Sequence, residues 1–242
     1  MLRPRTFVFP ACESPQELLR ASSSPPQHDT SSAFLDEPDE VVVMPKEMPF
    51  SVEQVTEILK VLRSTTRADM LIFGLDEDSV EFWHDVVQGR ASFVADAYSL
   101  RRGNLRRYKE LHEKYPKYDM NFRLEEAQDL PLRVTDYYKH PDDWDDLDLT
   151  NQLSQKVLTS TYQAILVDAP KRDRAWKAQI MYMASLLQEP GTSVFVENCQ
   201  RTTDWRLATA MLGKDTLVRQ IRRSAWGRTR ASVLCHFKSP DP

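Results

Sequence analysis

No stretch of this chain approaches the roughly 18 uninterrupted apolar residues that a membrane span needs. The apolar start, Thr6-Phe7-Val8-Phe9-Pro10-Ala11-Cys12, is too short for the apolar region of a signal peptide. With neither anchor nor signal visible, the cytoplasm is the expected compartment. Cysteine is equally sparse. Cys12, Cys199 and Cys235 stand far apart without metal-ligand spacing, and three is an odd number for a disulfide framework. A reducing environment is the simpler expectation. Excess positive charge is also lacking: the formal net charge is -4, which argues against nucleic acid as a partner.

Glycine is scarce too, with six residues in 242, and their placement punctuates the chain. Gly74 ends an apolar run, Gly89, Gly191 and Gly213 each separate a helical pattern from a strand pattern, and Gly227 falls in a terminal turn. Gly103 alone sits inside a helical pattern. Proline is concentrated instead: eight of the 15 lie in the first 50 residues, beside a serine run and the acidic patch Asp36 to Glu40. Residues 1–48 therefore read as a disordered tail, and residues 49–240 as one folded domain.

Within the domain, Ser51 can cap a helix whose apolar positions are Val52, Val55, Ile58, Leu59 and Leu62. Met70-Leu71-Ile72-Phe73 is a short apolar run suited to a strand covered on both faces. A helix over 79–88, a strand over 91–95, a basic helix over 100–114 and a weaker strand over 119–124 follow. After an acidic stretch come a helix over 151–158, the strand Ala164-Ile165-Leu166-Val167, a helix over 172–188 and a strand over 193–196. A helix over 203–212 and strands over 216–222 and 231–237 complete the chain. Such alternation predicts an α/β fold with a doubly wound, mostly parallel sheet. The two last strands, joined by a short turn, must run antiparallel. That ending is the layout of class I S-adenosylmethionine-dependent methyltransferases.

In open α/β sheets a ligand lies beyond the carboxyl ends of the strands. The first strand runs out through Phe73, Gly74 and Leu75 towards Ser79, where glycine would let the main chain pass close to a cofactor; the plain alternative is a helix cap at Asp78 or Ser79. Asp96, about 20 residues beyond, is placed to accept ribose hydroxyls. Asp168 closes the fourth strand and could position a substrate hydroxyl, act as a base or ligate a metal. Glu197 closes the fifth, so Asp168 and Glu197 are candidates to share a divalent cation. Lys171 and Arg172, at a helix start where basic residues oppose the dipole, suit an anionic substrate. The arginine clusters at 101–107 and 219–230 read as solvated faces, with RNA binding as their functional alternative. His84 and His112 lack partners at ligand spacing and read as structural.

With these residues in view, the chain resembles the polysaccharide-biosynthesis domain family that includes glucuronoxylan 4-O-methyltransferases. The resemblance rests on Leu71-Ile72-Phe73-Gly74-Leu75-Asp76-Glu77-Asp78-Ser79, Gly89-Arg90-Ala91-Ser92-Phe93-Val94-Ala95-Asp96, and Val167-Asp168-Ala169-Pro170 followed by Met181-Tyr182-Met183-Ala184. It implies S-adenosylmethionine as cofactor at Phe73, Gly74, Leu75, Ser79 and Asp96, and a glycan or related small-molecule acceptor. It also implies Golgi residence. Asp76 and Glu77 stand where the family has glycine and histidine, Lys171-Arg172 where it has a basic residue and glycine, and Glu197-Asn198 where it has His-Asp. These departures raise the alternative of an inactive binding or scaffold module.

Overall fold

The computed structural model describes residues 44, 49–74, 77–96, 109–110, 113–114, 122–127, 153–168, 174–223 and 231–241; side chains of 77–78, 95–96, 122–127 and 174–176 are not among them. Helix α1 spans Val52–Arg63, and β1 is Met70–Phe73. Helix α2 (Glu77–Val86), β2 (Ala91–Asp96) and β3 (Phe122–Ala127) follow. A short α3 (Gln155–Leu158) precedes β4 (Ala164–Val167), α4 (Arg174–Leu186), β5 (Ser193–Glu197) and α5 (Thr202–Leu212). The chain ends in β6 (Leu217–Arg223) and β7 (Ser232–Lys238).

The seven strands form one sheet in the order β3-β2-β1-β4-β5-β7-β6. Neighbours among β1 to β5 pair in parallel, and β7 runs antiparallel to both β5 and β6. This strand order with a terminal antiparallel hairpin is that of class I methyltransferases. β1, β4 and β5 are buried along their whole length. Helices cover both faces, so neither alternate position of these strands can be polar without cost.

Two cores result, one per face. Leu71, Phe73, Ile165, Val167, Val194 and Val196 pack with α4 and α5. Met70, Ile72, Phe93, Leu166 and Phe195 pack with α1 and α2. Helix α1 begins in a capping box: the Ser51 hydroxyl accepts from the Gln54 amide at 3.3 Å, and Gln54 Oε1 accepts from the Ser51 amide at 3.0 Å. Gln54 is buried and its Nε2 donates to the Ile221 carbonyl at 3.1 Å. Val52, expected on the inward face, is 68% exposed. The cap and the Gln54 bond decide how α1 is rotated against the sheet.

Three further expectations change. Of the strand read over 119–124 only 122–124 lie among the described residues, and β3 runs on past Leu124 to Ala127. The predicted 151–158 helix is confined to Gln155–Leu158, starting from a Ser154 cap. The cysteines are not three separate thiols: Cys199 and Cys235 are disulfide-bonded, with Cα atoms 5.9 Å apart. The antiparallel pairing of Val196 with Cys235 brings the two cysteines, 36 apart in sequence, within bonding range. Of the predicted basic helix only 109–110 and 113–114 fall within the described residues, and they are helical. The tail before Met44 lies outside them. Among the described residues no helix is long and apolar enough to cross a membrane.

Candidate functional site

The chain moves outward from β1 to β3 and returns to β4 on the other side of β1. This makes the β1–β4 boundary the switch point of the sheet. Gly74 and Asp168 stand there, each one residue past its strand. The Gly74 amide donates to the Val94 carbonyl at 3.0 Å, and the Asp168 amide donates to the Phe73 carbonyl at 2.9 Å. The end of β1 is thus held between β2 and β4. Gly74 has φ +133, and a Cβ there would lie 1.9 Å from the Asp168 carbonyl oxygen. Only glycine meets both requirements. The close approach that glycine permits is therefore to the chain's own β4 main chain.

The other predicted residues divide clearly. Asp96 ends β2, two residues beyond the Phe73–Val94 pair, so its main chain reaches the same rim; its side chain is outside the description. Phe73 contributes its carbonyl, but its ring is fully buried among core residues of the α4/α5 face, so it packs rather than lines the rim. Ser79 lies in the first turn of α2 and is buried. Leu75, Lys171, Arg172 and His112 lie outside the described residues. His84 Nδ1 stands 3.0 Å from Asp85 on the surface of α2.

Glu197 ends β5, next to β4, where Val167 pairs with Val196. Asp168 and Glu197 therefore close adjacent strands, Asp168 half-buried and Glu197 only 3% exposed. Among the described residues no three His, Cys, Asp or Glu side chains gather to hold a metal ion. The strand register sets the main chains of the two acids side by side.

Sequence reasoning missed the support of β5. Lys177 of α4 is buried and its Nζ donates to the Glu197 carbonyl and, at 2.9 Å, to Asp204 Oδ2 of α5. One ammonium thereby ties two helices to the rim and offsets the carbonyl freed where Asn198 turns with φ +55. The available signal was a lysine three and seven residues before the inward Ile180 and Ala184. The arginines of β6 are also partly engaged: Arg219 meets Glu57 at 3.3 Å, and Arg223 donates to the Pro49 carbonyl.

The sequence matches no family model, and no curated protein matches it. Solved structures similar in shape include the N-methyltransferase NodS from Bradyrhizobium japonicum WM9. It is 12% identical, with 81% of this chain and 100% of that one covered and a TM-score of 0.44. Another is a precorrin-6Y C5,15-methyltransferase from Geobacter metallireducens GS-15, 12% identical over 84% and 96% of the chains with a TM-score of 0.45. At these values the likeness adds nothing to the strand order, on which the fold assignment rests.

Proposed function

We propose that this protein is an S-adenosylmethionine-dependent O-methyltransferase whose acceptor is a hydroxyl of an acidic sugar or a similar anionic compound. The observation that carries the reading is the meeting of Gly74 and Asp168 at the switch point of a methyltransferase-ordered sheet. What supports a nucleoside-bearing cofactor here is the position of Gly74 at the switch point and the acid that ends the neighbouring β2. In this reading Gly74 and Leu75 pass beneath the cofactor, and the Asp96 carboxylate accepts from its ribose hydroxyls. When bound, the cofactor supplies an electrophilic methyl group. Asp168 orients the acceptor hydroxyl and takes its proton, while Lys171 and Arg172 hold the substrate anion. The acidic-sugar acceptor rests on the sequence resemblance and on those two cations.

Calorimetry with S-adenosylhomocysteine is the first test. Binding is expected, with a loss of at least ten-fold in Asp96→Ala, which forfeits hydrogen bonds to a charged group worth about 1.5–3 kcal/mol. Labelled methyl transfer to a glucuronic-acid oligosaccharide should vanish in Asp168→Ala while cofactor binding persists. Absence of binding at millimolar ligand refutes the proposal. The acids Asp76 and Glu77 favour a second reading, an inactive binding module, which predicts cofactor-free protein and no transfer to any hydroxyl acceptor.

A further inference from the structure

Glu197 closes β5 at the carboxyl edge of the sheet, one strand from the end of β4. Alternate residues of a strand share a face, so its side chain lies on the side of Phe195, which α1 and α2 cover. Leu234, its partner across the β5–β7 ladder, packs in that same core. Glu197 is only 3% exposed, and nothing among the described residues donates to its carboxylate or pairs with its charge. Ser232 stands on the same face, two residues before Leu234 in β7, and its hydroxyl is buried without a hydrogen-bond partner.

A buried carboxylate without donors is costly, and folded chains rarely keep one unless a ligand completes it. The ammonium that reaches this residue does not relieve the cost. Lys177 comes from α4, on the opposite face of the sheet, and its Nζ donates to the Glu197 carbonyl and, at 2.9 Å, to Asp204 Oδ2. Its charge is thereby matched by Asp204, which is itself buried. Lys177 instead fixes the main chain of Glu197, immediately before Asn198 turns with φ +55. The residue is held from behind through its carbonyl, while its carboxylate on the other face is left to a partner that the chain does not supply.

We propose that the Glu197 carboxylate recognises the acceptor by taking hydrogen bonds from ring hydroxyls beside the one that is methylated, with Lys177 as the residue that positions it. The inference rests on the methyltransferase reading and names the group that selects a polyhydroxylated acceptor. An ionised carboxylate only accepts, so the ligand must bring the donors. Neighbouring hydroxyls do so, whereas an anionic group would be repelled, and the negative end of the acceptor therefore lies elsewhere. The Ser232 hydroxyl, free to donate, meets an oxygen of the same molecule.

The test is labelled methyl transfer to a glucuronic-acid oligosaccharide and to analogues that each lack one ring hydroxyl. Glu197→Gln keeps the side-chain shape and removes the charge. KM for the full acceptor should rise about ten-fold or more, with kcat changing less and S-adenosylhomocysteine binding unaltered. One analogue, lacking a hydroxyl that is not methylated, should be poorer than the full acceptor by a similar factor in the wild type. It should be no poorer than the full acceptor in Glu197→Gln. Lys177→Met combined with Asp204→Leu strands no charge, and should raise KM in the same direction. An unchanged KM in Glu197→Gln, or the same preference among analogues in both proteins, overturns the assignment. So does transfer that a chelator abolishes and a divalent cation restores in the wild type alone, which would give Glu197 to a metal. If Glu197→Gln fails to fold, the wild type must still require a hydroxyl that is not methylated, and the Lys177 and Asp204 double variant must lose that requirement. A wild type that binds no S-adenosylhomocysteine fails on the methyltransferase reading itself. A wild type that transfers methyl groups no better than Glu197→Gln fails on this inference alone.

Discussion

Replacing Gly74 with alanine tests the geometry on which the candidate site rests. Two costs act together. The first is conformational: φ +133 lies where an L-residue pays about 1–2 kcal/mol. The second is steric, because the new Cβ would lie 1.9 Å from the Asp168 carbonyl oxygen, well inside the 3.0 Å below which Cβ contacts are not found. That oxygen belongs to main chain, held by the Asp168 amide bond to Phe73, so relief requires β1 and β4 to part. Overpacking of this kind costs about 1–3 kcal/mol, which brings the total to about 3 kcal/mol and the fall in Tm to about 6–12 °C. Gly191→Ala is the control. It has φ +82, but its nearest neighbour is the flexible Asp241 carboxylate at 3.0 Å, so only the conformational cost of about 1 kcal/mol, or about 2–4 °C, is expected. Calorimetric melting of the two variants separates the effects. Equal losses would refute the carbonyl contact, and no loss in Gly74→Ala would refute the turn itself.

The Cys199–Cys235 bridge closes 36 residues, so by loop entropy Cys235→Ala should lower stability by about 4 kcal/mol; non-reducing peptide maps should show the cross-link, and two free thiols would disprove it. Lys177→Met strands the buried Asp204 carboxylate and should cost about 3–5 kcal/mol in urea unfolding. The double variant with Asp204→Leu should recover most of that loss, and failure to recover would mean that the pair is not the source. Ser51→Ala removes one arm of the cap for about 1 kcal/mol. Gln54→Ala also leaves the Ile221 carbonyl without its donor and should cost about 2 kcal/mol, so equal values would argue against the buried bond.

The strands β1, β4 and β5 were legible in the chain because strands covered on both faces have no polar alternation, and their runs are uninterrupted. Glycines at 74, 191 and 213 marked where elements stop, since each takes a positive φ in the folded chain. The turn between the last two strands foretold the antiparallel ending, and Asp168 and Glu197 were placed at strand ends simply by following those runs. The far end of β3 was read short, at Leu124 rather than Ala127, because Phe122–Ala127 mixes charged and apolar residues on a strand with one neighbour. Val52 and Gln54 exchanged roles because helical spacing allows more than one face, and the bond to Ile221 chooses.

What local sequence determined, then, was the kind and order of elements, because backbone propensity and burial period are properties of neighbouring residues. Contacts between distant residues belong to the tertiary structure. The Asp168 carbonyl against Gly74, the Cys199–Cys235 bridge and Lys177 beneath Glu197 all depend on which strands and helices become neighbours. His236 meets Ser193 across 43 residues and Glu57 across 179. Only the packing of α1 over β5 and β7 brings those three groups within hydrogen-bond range, and only there does burial give the His236 imidazole its low affinity for a proton.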